Sequence, residues 1–167
     1  INPAMLAFKP EAKKTWEESV KSIHAYVAGE VEDVIIDSSI AFGIQDTEQA
    51  NEFIEAAIQY DSDYIALDSE TTGLYPRDGY MLGISLSYDG KRGAYIDTDC
   101  FSSRTEQLLQ QLFDKKTVVF HNAKFDMAFF EYHFHFKFPQ FEDTMLLHYL
   151  IDENPGGHGL KQLTMKF

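Results

Sequence analysis

Tyr64-Ile65-Ala66-Leu67-Asp68-Ser69-Glu70-Thr71-Thr72-Gly73-Leu74 carries two carboxylates at i and i+2 directly behind a short apolar run. Alternate residues of a β-strand point to the same face, so a strand here sets Asp68 and Glu70 side by side. Two like charges so placed repel each other unless a cation neutralises them. An isolated Asp-x-Glu is ordinarily surface charge; this one follows a run that reads as buried and precedes Thr-Thr-Gly-Leu. A second apolar run, Val118-Val119-Phe120, leads into Asn122-Ala123-Lys124-Phe125-Asp126. Asp126 would fall in the first turn of a helix and meet its positive end. Three carboxylates behind two strands point to a site for divalent cations, which prefer oxygen ligands. A pair of such ions about 3.5–4 Å apart can activate water and stabilise a leaving alkoxide, the two needs of phosphodiester hydrolysis.

With 44% apolar residues, 14 Phe and 9 Tyr, the 167 residues suffice for one domain with a proper core and a modest appendage. The single Cys100 excludes an internal disulfide framework and suits a reducing compartment; its ordinary role is that of a small buried side chain. No apolar run approaches the roughly 20 residues of a membrane span, and no signal peptide is evident. The first residue is Ile1 rather than Met, which points to a native start elsewhere. A net charge of −13 argues against an extended electrostatic nucleic-acid binder, but not against an enzyme that grips a few phosphates through cations. A firm hold on DNA would then come from a neighbouring domain.

Residues 1–45 read as an N-terminal helical and linker extension. Pro10 suits a first turn, Trp16, Val20, Ile23 and Val27 form a 3-4 stripe, and Gly29 ends the helix. Acidic Glu30-Val31-Glu32-Asp33 leads to Val34-Ile35-Ile36, a short strand or an extended linker. From residue 46 the pattern changes. Asp46-Thr47 caps a helix with Ala50, Phe53, Ile54, Ala57 and Ile58 on one face. Strands are expected at 64–70 and 81–88, then an Asp89-Gly90 hairpin turn and a third strand at 93–97. Ser103 with Glu106 predicts a capping box on a helix whose inner stripe is Leu108, Leu109, Leu112 and Phe113. A short buried strand at 118–120 precedes a helix over about 124–134 and another over 143–150. Glu153-Asn154-Pro155-Gly156-Gly157 is a loop, and Leu160, Leu163 and Phe167 begin a further helix. The order β-β-β-α-β-α fits an α/β fold, a mixed sheet flanked by helices.

These motifs, in this order, resemble the DEDD 3′–5′ exonucleases. Asp68 to Leu74 is similar to their first exonuclease motif, and Asn122 to Asp126 is similar to the second. Asp143-Thr144-Met145-Leu146-Leu147-His148-Tyr149-Leu150 and His158-Gly159-Leu160-Lys161-Gln162-Leu163 resemble the segment that follows in one branch, the proofreading domain of family A (Pol I-like) DNA polymerases. The resemblance covers about Asp46 to Phe167. It implies a ribonuclease H-like fold with a mixed five-stranded sheet, two Mg²⁺ or Mn²⁺ ions, and removal of nucleotides from a single-stranded DNA 3′ end. It also implies a polymerase domain attached on the C-terminal side. Carried over by position, Asp68, Glu70 and Asp126 are catalytic metal ligands. Thr71 contacts the terminal nucleotide, Leu74 wedges against its base, and Asn122 hydrogen-bonds near the scissile phosphate. Asp143 is a supporting carboxylate outside the ligand set. The implied setting is the cytoplasm of a bacterial or phage-infected cell, or an organellar matrix, with no membrane involved.

The chain departs from the family pattern in one respect. The family requires a fourth carboxylate in a Tyr-x-x-x-Asp or His-x-x-x-Asp motif, on a helix beyond Gly159-Leu160-Lys161. His148 and Asp152 have that spacing but precede the loop. Residues 46–167 are therefore expected to form a C-terminally incomplete exonuclease domain, inactive or nearly so as it stands, with the missing motif past Phe167. Two other readings stay open at this point. One is a ribonuclease D-like RNA 3′-end exonuclease, which shares the motifs and differs in its treatment of the 2′-hydroxyl. The other is a non-catalytic nuclease fold that holds DNA as a scaffold. His133 and His135 read as a helix-end pair rather than metal ligands, His121 as the end of a strand near the site, Gly156-Gly157-His158-Gly159 as a turn, and Asp97-Thr98-Asp99 as a solvated turn.

Overall fold

A mixed six-stranded sheet organises the second of the two units into which the chain divides, Ile1–Ile36 and Asp37–Phe167. The structure is a computed structural model that describes residues 40–153 and 157–164, together with 13, 17, 20, 21, 24, 25, 27 and 28. In the first unit, Lys13, Glu17, Val20, Lys21, His24, Ala25 and Val27 are helical, with Lys13 and Glu17 paired at 3.7 Å one turn apart. Val20 and Val27 of the expected stripe are exposed. Pro10, Trp16, Ile23, Gly29 and residues 30–36 lie outside the described residues, as do Asn154, Pro155, Gly156 and Phe167.

The second unit runs β1 (Ala41–Ile44), α1 (Thr47–Gln59), β2 (Tyr64–Thr71), β3 (Met81–Ser87), β4 (Gly93–Asp97), one 3-10 turn (Thr98–Cys100), α2 (Ser103–Lys115), β5 (Thr117–Phe120), α3 (Ala123–Phe134), β6 (Phe141–Asp143), α4 (Thr144–Ile151) and α5 (Leu160–Leu163). Across the sheet the order is β1-β4-β3-β2-β5-β6. The central β2, β3 and β4 form an antiparallel meander; β1 on β4, β5 on β2, and β6 on β5 are parallel. The sheet thus has six strands where the family resemblance implied five. Its two edges, β1 with four residues and β6 with three, are too short for alternation to show in sequence. β1 also lies before residue 46, within the stretch expected to be extension.

One sheet face is the core. Ile65 and Leu67 of β2, Ile84 and Leu86 of β3, Ala94 and Ile96 of β4, and Val118 and Phe120 of β5 are buried with Ile54 and Ile58 of α1, Leu109 and Phe113 of α2, and Phe129 and Phe130 of α3. Phe138 bridges Phe113 (ring centroids 4.8 Å), Phe120 (5.2 Å) and Phe130 (5.4 Å), tying α2, α3 and β5 together. The alternate positions, among them Ala66, Asp68, Glu70, Ser85 and Ser87, line the other face. On that face the Tyr95 ring covers Gly83 so closely that a Cβ there would stand 2.3 Å from it.

Two local expectations shift. The capping box of α2 is Ser102 with Thr105, one residue earlier than Ser103 with Glu106, because the buried Thr105 hydroxyl also bonds Asn51 of α1 at 2.8 Å. The β3–β4 connection spans residues 88–92 rather than two residues. Asp89 Oδ1 accepts from Arg92 N (2.8 Å) and Lys91 N (2.9 Å), which holds its carboxyl down at about 2, while Gly90 adopts φ +66°.

Candidate nuclease site

β5 pairs with β2 as far as Ala66↔Val119 and ends at Phe120, while β2 runs on to Thr71. Past that point β2 keeps β3 on one side and loses its neighbour on the other. Such a gap beyond the carboxyl ends of adjacent parallel strands is where α/β sheets leave room for ligands. Asp126, in the first turn of α3, fills it: its Oδ1 accepts from Ser69 N at 2.9 Å and from Ser69 Oγ at 2.6 Å. Asp68 and Glu70 flank Ser69 and point to the open face. Helix and strand thereby bring the three expected carboxylates to one short stretch of β2.

Their acidities are set by burial and by mutual repulsion. Burial pushes Asp126 up to about 6, against the pull of the two Ser69 donors, and the negative charge of Asp68 adds to the rise. Asp68 is raised by its own partial burial first and then by Glu70, with His121 acting in the opposite direction. Acids that raise one another gain most from a bound cation, and their oxygens fit Mg²⁺ or Mn²⁺ in kind. As they stand, however, no group of three His, Cys, Asp or Glu among the described residues is arranged to hold a metal ion. Asp126 spends its Oδ1 on Ser69.

The expected substrate residues surround this stretch. The Thr71 hydroxyl donates to Gly73 O at 2.9 Å, shaping the exit from β2. Leu74, three residues on, is 76% exposed. Asn122 precedes α3 with φ +71°, a left-handed conformation that Asn tolerates, and its exposed side chain makes no capping bond. The cap of α3 comes instead from Asp143, which accepts from Asn122 N (3.0 Å) and Ala123 N (2.9 Å) as well as from Met145 N (2.9 Å) at the start of α4. One carboxylate thus serves two helix starts, as its expected supporting role requires.

His121 ends β5 beside these residues. The Thr144 hydroxyl donates to Phe120 O at 3.0 Å, so its lone pair receives the proton of His121 Nδ1 at 2.9 Å. The tautomer this geometry fits carries its proton on Nδ1, and the buried Nε2 has no partner among the described residues. A cavity of about 360 Å³ on the open face is lined by Ala66, Asp68, Ser85, His121, Thr144 and Leu160 among others. It lies beside the carboxylates, since of the three only Asp68 borders it. Ser69 and Thr144 were not singled out in sequence. Ser69 had a readable signal: the core face of β2 runs Ile65, Leu67, Ser69, a hydroxyl where an apolar side chain is due. Among the described residues, the remaining histidines form no group arranged to hold a metal ion. His133 stacks on Phe129 at 5.8 Å, His135 ends α3 with φ +59°, and His158 Nδ1 meets His148 Nδ1 at 2.6 Å.

Similarity to known proteins agrees with this geometry. Residues 41–167 match the family described as 3′-5′ exonuclease. Over 175 aligned residues the chain is 41% identical to a DNA polymerase of Escherichia phage T5, covering 100% of this chain and 20% of that polymerase. Among solved structures, Escherichia coli RNase D superposes with a TM-score of 0.63 at 21% identity, over 74% of this chain and 32% of RNase D. Brucella melitensis NrnC with bound Mg²⁺ gives 0.57 at 20% identity, over 77% and 60% of the two chains. These last two establish a shared fold. No helix of the described residues is long and apolar enough to cross a membrane. The sequence match over residues 41–167, the likeness of the whole chain to one-fifth of a polymerase and the shared fold converge on one assignment: the chain belongs to the 3′–5′ exonuclease domain family of family A DNA polymerases.

Proposed function

We propose that this domain removes nucleotides from the 3′ end of single-stranded DNA, as the proofreading element of a DNA polymerase. The observation that carries the reading is Asp126 bonded across the β2–β5 gap to Ser69, between Asp68 and Glu70. Asp68, Glu70 and Asp126 would hold Mg²⁺ or Mn²⁺, which supplies an activated water and stabilises the leaving oxygen. A fourth carboxylate, of the kind the family pattern places beyond Gly159-Leu160-Lys161, completes that set. The chain's own side chains bind and orient. Ser69 fixes the Asp126 carboxylate. Thr71 contacts the terminal nucleotide, Leu74 packs on its base and Asn122 hydrogen-bonds near the scissile phosphate, because a single-stranded end is gripped by stacking and a few polar contacts. The likeness to a phage polymerase five times the length of the aligned region supports an attached polymerase domain and action in an infected bacterial cell.

The test is release of mononucleotides from a single-stranded DNA oligonucleotide by the polymerase that contains this domain. Hydrolysis is expected only with Mg²⁺ or Mn²⁺, and Asp68→Ala abolishes it. Metal-independent release, or full activity in Asp68→Ala, would overturn the site. A matched RNA oligonucleotide degraded faster than the DNA would reassign the substrate.

A further inference from the structure

The β2–β3 connection presents three large apolar side chains to water directly beyond the site: Leu74, Tyr75 and Tyr80, which are 76%, 67% and 61% exposed. Its backbone is nevertheless well tied. Thr72 N donates to Tyr80 O at 3.0 Å, Tyr80 N to Thr72 Oγ1 at 3.0 Å, and Asp78 N to Tyr75 O at 3.0 Å. Gly73 and Gly79 approach so closely that a Cβ on Gly79 would stand 3.0 Å from Gly73 N. Of the other tyrosines of the unit, Tyr60 lies against Tyr88 with ring centroids 5.1 Å apart and Tyr95 covers Gly83, while Tyr64, Tyr132 and Tyr149 are exposed on a strand or a helix. Tyr75 and Tyr80 instead stand out from a braced loop, so binding to them orders little backbone that is not ordered already. Exposed Arg77 lies between them in the chain.

We propose that Tyr75, Tyr80 and Arg77 form a second binding platform, which holds the nucleotides on the 5′ side of the terminal one. The proposal rests on the nuclease reading above and extends it along the strand. The loop leaves β2 one residue after Glu70, so a strand whose 3′ end lies at the carboxylates passes it. The tyrosine rings stack bases without regard to sequence, and Arg77 meets a phosphate between them. Stacking also suits the charge balance. A chain of net charge −13 gains little from counterion release, so aromatic faces must supply much of the hold. Affinity should therefore depend on strand length, through residues separate from those that grip the terminal nucleotide.

The experiment compares deoxythymidine 5′-monophosphate with a ten-nucleotide oligo(dT), titrated calorimetrically into the polymerase that contains this domain, in Ca²⁺ buffer. The unsubstituted polymerase is expected to prefer the decamer. Tyr75→Ala and Tyr80→Ala each cut that preference about tenfold, Tyr75→Phe and Tyr80→Phe keep it, and Arg77→Gln flattens the salt dependence of decamer binding. Leu74→Ala, by contrast, weakens both ligands by the same factor. A preference that survives both alanine substitutions overturns the platform alone, as does an equal weakening of both ligands. An unsubstituted polymerase that binds neither ligand overturns the nuclease reading itself, and the platform with it.

Discussion

Asp126 and Asp143 are both nearly shut off from water, at 2% and 7% exposure, and both stand within a turn of a helix start. Their acidities nevertheless move in opposite directions. Burial raises each of them. At Asp143 four backbone N–H groups, of Asn122, Ala123, Met145 and Leu146, outweigh it and bring the carboxyl below its ordinary value. At Asp126 the donors are the hydroxyl and backbone N–H of Ser69 and, more weakly, its own backbone N–H; burial outweighs them, the negative charge of Asp68 adds to the rise, and the carboxyl reaches about 6. Burial and helix position therefore do not separate a carboxylate that supports a fold from one proposed to hold a cation. The number of donors and the sign of the neighbour do.

The largest effect expected from this contrast is on hydrolysis. Asp126→Asn keeps the shape and an acceptor for Ser69 but removes the negative charge, and should cost on the order of a thousandfold in rate. Asp143→Ala should act instead on stability. It strips the acceptor from two helix starts and leaves buried N–H groups unpaired, for a loss of about 3 kcal/mol in denaturant or thermal unfolding. Rates taken at a temperature where that variant is fully folded should fall far less than those of Asp126→Asn. An equal fall in both would erase the distinction drawn between the two residues.

The pH dependence of stability gives the next test, on metal-free protein. Asp126 titrates higher folded, at about 6, than in an unfolded chain near 3.8, so its ionised form is the disfavoured one. The stability it contributes is fully present below about pH 4 and is lost as pH rises through about 6, to the extent of about 3 kcal/mol at neutral pH. Asp143 has the opposite sign: its contribution is present above the ordinary carboxylate range and is lost as pH falls through its lowered value. Asp126→Asn should accordingly raise the thermal midpoint of metal-free protein near pH 7, and raise it little near pH 4. A midpoint that drops at neutral pH would show that the Asp126 charge is already balanced inside the fold.

Much of this was legible in the chain. Period-2 alternation located the meander, with β4 matching residues 93–97 and β2 extending one residue past the expected 64–70. The i, i+2 spacing placed Asp68 and Glu70 on one face. The edge strands were not legible, because three or four residues with a single buried side chain carry no pattern. Nor were the bonds of Asp143 to Asn122 and Ala123, or of Thr144 to His121. Both depend on β6 lying beside β5, a pairing across more than twenty residues that no local signal announces. Ser69 falls between these cases. Its break in the apolar face of β2 was readable, but the partner it marked was fifty-seven residues away.

Ser69 also offers the finest test of why the two carboxylates differ. If donor count is what keeps Asp143 low and leaves Asp126 high, removing one donor from Asp126 should widen the gap. Ser69→Ala deletes the 2.6 Å hydroxyl bond and keeps the 2.9 Å bond from the backbone. A hydrogen bond to a charged acceptor contributes about 1.5–3 kcal/mol, so the Asp126 midpoint should climb about one pH unit above its present value. Carboxyl ¹³C titration of metal-free protein reads the shift directly. The acid limb of Mg²⁺-dependent hydrolysis should move up with it, while the rate at high pH, where Asp126 is ionised in both proteins, changes little. A midpoint that stays in place would mean that the Ser69 hydroxyl does not set Asp126, leaving the negative charge of Asp68 as the feature that separates it from Asp143.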